Sequence, residues 1–126
     1  MIKLIQCVRR RPELRLADFR REWDAYRELL MDLAPEVGAV KVALSTTLAV
    51  EANLELMTQR GTREAYDGVA EVWWRSAGEA RDAMARPGVD ARLAAMQRRQ
   101  ETFMDLESSS FFFALEDEEL DPTCGG

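Results

Sequence analysis

The chain has 126 residues, 47% of them hydrophobic and 32% charged, which is typical of a single soluble globular domain. Its net charge of −6 argues against nucleic acid as a partner, and no apolar run is long enough to span a membrane. The chain has no histidine, which excludes a Ser-His-Asp triad, an imidazole base and a His-containing zinc site, and two cysteines are too few for a Cys₄ site. We therefore expect no metal, and the absence of a signal-peptide pattern predicts a cytoplasmic protein.

The N-terminal part of the sequence predicts a strand, a helix and a second strand. Residues 1–8 are strand-like, and a turn at Pro12 leads into an amphipathic helix from Leu16 to Leu33. Apolar residues at alternating steps of three and four form one face of this helix: Leu16, Phe19, Trp23, Tyr26, Leu30 and Leu33. Tyr26 differs from the others because its hydroxyl group needs a hydrogen-bond partner if it is buried. The apolar alternation in residues 39–48 predicts the second strand.

The C-terminal part predicts two further strands and a broken helix. Residues 50–66 have no clear pattern and are interpreted as a long connection or a partly helical lid over a site. Asp67 and Gly68 turn the chain into a third strand through residue 75, and Pro87 interrupts the helix that follows. A fourth strand over residues 111–115 precedes an acidic segment, and residues 121–126 are predicted to be a flexible tail.

This order of elements predicts an α+β fold of the ferredoxin-like type, β-α-β-β-α-β, in which the second helix is broken. Both helices of that fold cover one face of the sheet. The other face needs a different cover, because Trp73 and Trp74 place apolar groups on both faces of the third strand and residues 111–113 do the same for the fourth. Since an uncovered apolar face is a liability, we predict a homodimer that packs sheet against sheet.

Four segments of the sequence form a recognisable series: Ile2-Lys-Leu-Ile5 leading to Arg10-Arg11-Pro12, Phe19-Arg-Arg-Glu-Trp23, Tyr66-Asp-Gly-Val-Ala-Glu-Val-Trp73 and the acidic segment near Glu116. In this order and spacing they resemble the EthD family, which is named for its association with ethyl tert-butyl ether degradation. The resemblance covers most of residues 1–120 and implies one dimeric α+β barrel domain over that range. It also implies an apolar, aromatic or polyketide-like ligand bound between sheet and helices, with cyclase, dehydratase, isomerase, monooxygenase or decarboxylase chemistry that often needs no cofactor.

The resemblance has one departure that bears on chemistry. Family members typically have a histidine three residues after the helix tryptophan, and Tyr26 stands at the matching position here. A phenol with an ordinary pKa near 10 can donate a proton or a hydrogen bond, but it is a poor base near neutral pH. Without histidine, the chain either uses Tyr26 as a weaker acid or has lost the family's activity.

The candidate site residues follow from these considerations. Tyr26 is the candidate acid, and Glu71 is the candidate base because it interrupts an otherwise apolar strand. The substrate-binding candidates are three tryptophans and one aspartate: Trp23, Asp67, Trp73 and Trp74. Each residue also has a structural interpretation, as packing for the tryptophans, a turn for Asp67, a salt bridge for Glu71 and a satisfied hydroxyl for Tyr26.

Two functions remain open from the sequence. The first is a cofactor-independent enzyme of the lyase or isomerase type that acts by proton transfer in a cyclisation, dehydration or isomerisation of an apolar substrate. The second is a non-catalytic small-molecule binder or accessory protein of a pathway, which the missing histidine favours. A cofactor-free monooxygenase is a third variant.

Overall fold

The computed structural model describes residues 1–117, 120 and 122 and confirms the predicted ferredoxin-like order of strands and helices. A single helix, α2, is added between the second and third strands. In chain order the elements are β1 (Ile2–Val8), α1 (Leu16–Leu33), β2 (Lys41–Thr46), α2 (Glu51–Arg60), β3 (Gly68–Trp74), α3 (Ala77–Met84), α4 (Val89–Glu101), a short 3₁₀ helix (Leu106–Ser108) and β4 (Ser110–Leu115).

The four strands form one antiparallel sheet in the order β2-β3-β1-β4. Gln6, in β1, lies opposite Ala70 of β3 on one side and Phe111 of β4 on the other. Because side chains alternate between the two faces of a strand, this register decides which residues share a face. We call the face covered by the helices the helix face, and the opposite one the open face.

Helix α1 supplies most of the core on the helix face. Its apolar stripe is buried as the periodicity predicts, except that Leu16, the first residue, is only partly buried. The buried side chains of α1 pack against Val8 and Ala70 of the sheet and against Phe103, which follows α4. A second cluster around Trp74 and Val72 extends the core towards α3 and α4.

The broken second helix is confirmed as two helices, α3 and α4. Ser76 caps α3, because its hydroxyl oxygen accepts a hydrogen bond from the Glu79 main-chain nitrogen at 3.1 Å. Gly88 separates the two helices with a φ of 85°, a conformation that suits glycine and is strained for other residues. None of the helices in the described part of the chain has the length and the apolar character needed to cross a membrane.

Residues 50–66, interpreted above as a connection or a lid, contain the helix α2, none of whose side chains is buried. Cys7 is a free, partly exposed cysteine, and burial together with the nearby Glu71 carboxylate raises the pKa of its thiol. Cys124 and the predicted tail at 121–126, apart from Pro122, lie outside the described residues.

Candidate functional site

A cavity of 480 Å³ lies between the helix face of the sheet and the helices α1, α3 and α4. This volume is within the range of small-molecule sites, about 300–1,000 Å³. Its apolar lining comes from all of these elements and from the segments after α1 and α4: Leu4, Leu30, Leu33, Ala34, Val37, Val72, Trp74, Met84, Leu93, Met96, Leu106 and Phe111. Its polar lining consists of Gln6, Gln97, Gln100 and Ser109. None of these lining residues carries an ionisable side chain.

Gln6 lies in the cavity wall because its side chain is on the helix face of β1. Leu4 and Gln6 of β1 pair with Val72 and Ala70 of β3, so all four side chains lie on the helix face. Gln6 is only 3% exposed and is the one polar residue among the buried residues described. A buried amide without partners would be costly, and its hydrogen bonds therefore decide how this wall is built.

Tyr26 lies directly behind the polar part of the wall and joins two of its glutamines. The Tyr26 hydroxyl donates to Gln6 Oε1 at 2.6 Å, and Gln100 Nε2 donates to the Tyr26 hydroxyl oxygen at 2.8 Å. The Tyr26 side chain is itself fully buried, and this burial raises its pKa to about 12, against the smaller opposing effect of the two hydrogen bonds. Tyr26 is therefore a neutral phenol at physiological pH, and its single proton is held by Gln6.

Trp23 belongs to the aromatic core of α1. Its ring stacks on Phe19 at a centroid distance of 5.4 Å and on Tyr26 at 5.6 Å. The ring also lies over Gly68, where an added Cβ would be 2.8 Å from Trp23 Cζ2. Its indole nitrogen has no hydrogen-bond partner among the described residues. This position is outside the lining of the 480 Å³ cavity, and a role for Trp23 in ligand binding stays a prediction.

The adjacent residues Trp73 and Trp74 point to opposite faces of β3. Trp74 lines the cavity, and its Nε1 donates to the Val37 main-chain oxygen at 2.7 Å, which fixes the ring. Trp73 lies on the open face between two lysines, with Lys41 Nζ at 4.4 Å and Lys3 Nζ at 5.3 Å from its ring centroid. Of the two residues, only Trp74 can contact a ligand in the helix-side cavity.

Glu71 shares the open face with Trp73, since the two are separated by one residue of β3. Its carboxylate forms a salt bridge with Lys3, at 3.2 Å between Oε1 and Nζ. The sheet therefore lies between Glu71 and the cavity, and the two residues predicted as acid and base, Tyr26 and Glu71, are on opposite sides of it. Within one chain they cannot act on one molecule together.

Asp67 lies just before β3, at one end of the sheet. Its Oδ2 accepts from the Arg10 main-chain nitrogen at 2.8 Å, and its Oδ1 accepts from the Arg10 guanidinium at 3.3 Å. These contacts join the end of β1 to the start of β3, and Asp67 is absent from the cavity lining. Its predicted role in substrate binding has no counterpart in this geometry and stays a prediction.

The arrangement can enclose and orient a neutral molecule. The cavity offers apolar walls, one indole face and four uncharged polar side chains, which together can provide shape recognition and hydrogen bonds. Among the described residues there is no group of three Cys, Asp or Glu side chains that could hold a metal ion.

The glutamines of the wall were not predicted as site residues. For Gln6 the signal was present, because it is the polar member of an otherwise apolar inward row in β1, Ile2, Leu4, Gln6 and Val8. Gln97 and Gln100 lie on α4, whose apolar pattern is too weak to show which glutamine faces the sheet. The contact of Gln100 with Tyr26, in the middle of α1, joins residues that are far apart in the sequence, so the sequence could not reveal it.

Residues 11–107 match the family model described as the EthD domain. The chain belongs to the EthD family. The matched segment begins after β1 and ends before β4, so it includes neither Gln6 nor β4. A search of curated proteins gave no match.

Solved structures extend the likeness of this EthD chain over nearly its whole length. An ethyl tert-butyl ether degradation family protein from Bacillus halodurans has 13% identity and a TM-score of 0.61, with 93% of this chain and 99% of that one covered. A dimeric ferredoxin-like protein of unknown function from Bacteroides fragilis has 9% identity and a TM-score of 0.60, with 90% and 93% covered.

A third similar structure has a named activity. SnoaB from Streptomyces nogalater, a cofactor-independent oxygenase, has 13% identity to this EthD chain and a TM-score of 0.53, with 94% of this chain and 95% of that one covered. At these identities the similarity establishes a shared fold, and activity has to be argued from the site.

Proposed function

We propose that this protein binds a neutral, largely apolar small molecule in the 480 Å³ cavity on the helix face. The observation that carries the proposal is the lining itself, in which apolar side chains surround a few uncharged polar groups and no ionisable side chain. Burial of a charged ligand would be costly there, because the lining residues offer no opposite charge. A neutral ligand with one or two polar groups meets no such penalty.

The test compares ligand binding by the unmodified protein and by a variant whose cavity is filled by a larger side chain. Deoxybenzoin, a neutral ketone with two phenyl rings, is the probe, and fluorescence titration or calorimetry gives its Kd. In Leu93→Trp the added indole ring fills the cavity, because Leu93 lines it. Leu54→Trp is the matched control, since it introduces the same side chain on the exposed surface of α2.

We expect Leu93→Trp to weaken deoxybenzoin binding at least tenfold and Leu54→Trp to leave it unchanged. Diphenylacetate, a carboxylate of similar shape, is expected to bind the unmodified protein more weakly than deoxybenzoin does. Equal affinity of the unmodified protein and Leu93→Trp for deoxybenzoin would overturn the proposal.

A cofactor-independent enzyme of the cyclase, dehydratase or isomerase type is a second candidate. It is supported by the hydrogen bond between Tyr26 and a residue of the cavity wall and by the fold shared with a cofactor-independent oxygenase. For Tyr26 to protonate a substrate, the hydrogen bond from its hydroxyl to Gln6 would first have to break, and a substrate atom would have to take the place of the Gln6 oxygen. Glu71 would need to act from the open face, on the other side of the sheet.

The enzyme candidate is tested on the ligand that purifies with the protein. That ligand is extracted, identified by mass spectrometry and incubated with the purified protein, and conversion is followed by chromatography. If Tyr26 is the acid, Tyr26→Phe removes conversion while binding and folding remain. Binding without any conversion, or conversion that persists in Tyr26→Phe, contradicts this role of Tyr26.

We further propose a homodimer in which the open faces of two sheets pack together. A similar solved structure is described as a dimeric ferredoxin-like protein, and the open face carries the exposed apolar side chain of Phe112 and the partly exposed Ile5 and Val69. Phe112 and Phe113 give a matched pair, since they lie on opposite faces of β4 and are 45% and 59% exposed. Phe112→Lys, on the open face, is expected to shift sedimentation towards the monomer, and Phe113→Lys is not. A Phe112→Lys variant that remains dimeric would exclude this interface.

A further inference from the structure

We propose that Tyr26 is a positioning residue that sets two glutamines of the cavity wall as one hydrogen-bond donor and one acceptor, selecting a neutral ligand with a carbonyl and a hydroxyl on neighbouring carbons. The proposal rests on the proposed function, because it concerns the ligand of the same cavity. It assigns to Gln6 and Gln100 a role in specificity, and to Tyr26 a role that needs no proton transfer.

The first step of the argument is the direction of the hydrogen bonds. Gln100 Nε2 donates to the Tyr26 hydroxyl oxygen at 2.8 Å, and the same hydroxyl donates to Gln6 Oε1 at 2.6 Å. A phenol has a single proton to donate, so it can serve one amide as a donor and must serve the other as an acceptor. The two amides are therefore held in opposite senses.

The second step concerns the atoms that this chain of bonds leaves for a ligand. The Gln6 oxygen accepts from Tyr26, so both Nε2 hydrogens of Gln6 remain as donors. Gln100 donates one of its two Nε2 hydrogens to Tyr26, so its Oε1 remains as an acceptor beside its second hydrogen. Both residues line the cavity. A ligand carbonyl can therefore accept from Gln6, and a ligand hydroxyl can donate to Gln100.

The third step is the spacing of these two groups. Gln6 and Gln100 both bond to one oxygen atom, so their amides are close neighbours in the wall. Ligand groups that reach both amides must themselves be close, which favours a carbonyl and a hydroxyl on adjacent or nearly adjacent carbons. The remaining lining is predominantly apolar and suits the rest of a hydrocarbon or aromatic skeleton.

The fourth step is the burial that keeps the arrangement fixed. Tyr26 is fully buried between Trp23, at 5.6 Å between ring centroids, and Phe103, also at 5.6 Å. A ring packed on both sides cannot swing away, and the hydroxyl stays at the position shared by the two amides. Such preorganisation lowers the entropy that a ligand would otherwise lose in ordering the glutamines.

The test uses three diaryl probes of the same skeleton. Bibenzyl has no oxygen, deoxybenzoin has a carbonyl, and benzoin has a carbonyl with a hydroxyl on the adjacent carbon. We expect benzoin to bind about tenfold more tightly than bibenzyl, the factor that two hydrogen bonds of modest net strength give, about 1.4 kcal/mol in total. Dissociation constants are measured by calorimetry or fluorescence titration.

Variants of the two glutamines separate their roles. Gln6→Leu removes the donor for the carbonyl and is expected to abolish the preference for deoxybenzoin over bibenzyl. Gln100→Leu removes the acceptor for the hydroxyl and is expected to abolish the preference for benzoin over deoxybenzoin. Gln59→Leu, at an exposed position of α2, is the control and is expected to change neither preference.

Tyr26→Phe tests the positioning role. It keeps the ring and removes the hydroxyl, so both amides lose their fixed direction and the preference for benzoin over bibenzyl falls several-fold, with bibenzyl affinity unchanged. Tyr66→Phe is the matched control, because the one hydrogen-bond contact of the Tyr66 hydroxyl among the described residues is with Ser110, at 3.4 Å. If Tyr26→Phe does not fold, Gln100→Leu, on the partly exposed side of α4, still decides the assignment.

The outcomes distinguish this inference from the function on which it rests. If bibenzyl binds and the three probes have equal affinities, the cavity is a ligand site but the selection by glutamines is wrong. If no probe binds, the proposed function fails and this inference fails with it. If Gln6→Leu and Gln100→Leu exchange their effects, the hydrogen-bond chain runs in the reverse direction and the assignment is overturned.

Discussion

The two faces of the sheet differ in the chemistry that they present, although alternate residues of the same strands build both. On the helix face, Gln6 and Trp74 line a cavity whose lining contains no ionisable side chain. On the open face, Lys3, Glu71 and Lys41 surround Trp73. Neighbouring residues of β1 and β3 therefore lie in different environments, one facing the cavity and the next facing the open side of the sheet.

This difference separates two functions that the sequence alone could not separate. A neutral cavity favours a neutral ligand, whereas the aromatic residues of the open face, Trp73 and Phe112, are of the kind enriched at interfaces between proteins. We therefore assign the proposed binding of a small molecule to the helix face and the proposed self-association to the open face. The predictions below compare the two faces, from the largest expected effect to the smallest.

The neighbouring tryptophans give the largest expected contrast. Trp74→Ala should lower the free energy of unfolding by about 3–5 kcal/mol, the usual cost of truncating a buried aromatic side chain. It also leaves the Val37 main-chain oxygen without the bond that Trp74 Nε1 donates at 2.7 Å. Trp73→Ala should cost less in the monomer, because the flexible side chains of Lys3 and Lys41 can collapse over the space. Urea unfolding measures both values.

Protein concentration provides the control for this pair. If the open face is the dimer interface, the destabilisation by Trp73→Ala depends on protein concentration, because folding and association are linked. The additional destabilisation by Trp74→Ala should be the same at every concentration. A Trp73→Ala variant that costs as much as Trp74→Ala in the monomer would contradict the separation of the two faces.

Alkaline titration gives the next largest effect, on the helix face. The pKa of Tyr26 is raised to about 12 by burial, so the folded state holds this proton more tightly than the unfolded state, whose tyrosines have a pKa near 10. The resulting stability is complete below about pH 10 and is lost as pH rises towards about 12, a difference of about 3 kcal/mol. Tyr26→Phe should remove this component of the pH dependence.

The phenolate absorbance of Tyr66→Phe measures the same quantity directly. The chain has two tyrosines, so Tyr26 is the only phenol left in this variant. Its ionisation should occur well above that of the denatured chain and should coincide with alkaline unfolding. Ionisation near pH 10 in the folded protein would mean that the Tyr26 hydroxyl is open to solvent, which would contradict its position behind the cavity wall.

Much of the fold could be predicted from the sequence, because it depends on local patterns. The apolar stripe of α1 has helical spacing, and Gly88 after Pro87 breaks the second helix in the expected place. The helix α2 could not be predicted in the same way, since none of its side chains is buried and its apolar residues form no face. Helical structure without a buried face leaves little signal in the sequence.

The candidate site could be predicted only in part, because it depends on strand parity and on contacts between distant residues. The sequence identified Tyr26 as a buried hydroxyl that needs partners, and the structure supplies them in Gln6 and Gln100, which are 20 and 74 residues away along the chain. Which face Glu71 occupies follows from its pairing opposite Ile5 in β1, a long-range register that composition does not reveal. The tryptophans were predicted as a group, but Trp73 and Trp74 are adjacent in β3 and therefore point to opposite faces of the sheet.

The smallest effect is expected from the ion pair of the open face. Lys3 and Glu71 are 3.2 Å apart and have side-chain exposures of 21% and 28%, so each charge keeps part of its contact with water in the monomer. A double-mutant cycle with Lys3→Met and Glu71→Gln should give a coupling energy below about 1 kcal/mol at concentrations where the protein is monomeric. The cycle is measured by urea unfolding.

The same cycle becomes informative about the dimer when it is repeated at high protein concentration. Packing of a second sheet would remove water from the pair, and charges in a drier environment interact more strongly. The coupling energy should therefore rise on dimerisation, while a cycle between Glu22 and Arg99, an ion pair on the helix side, should not change. If the Lys3–Glu71 coupling is the same in monomer and dimer, the two copies associate through a different surface, and the open face loses its proposed role.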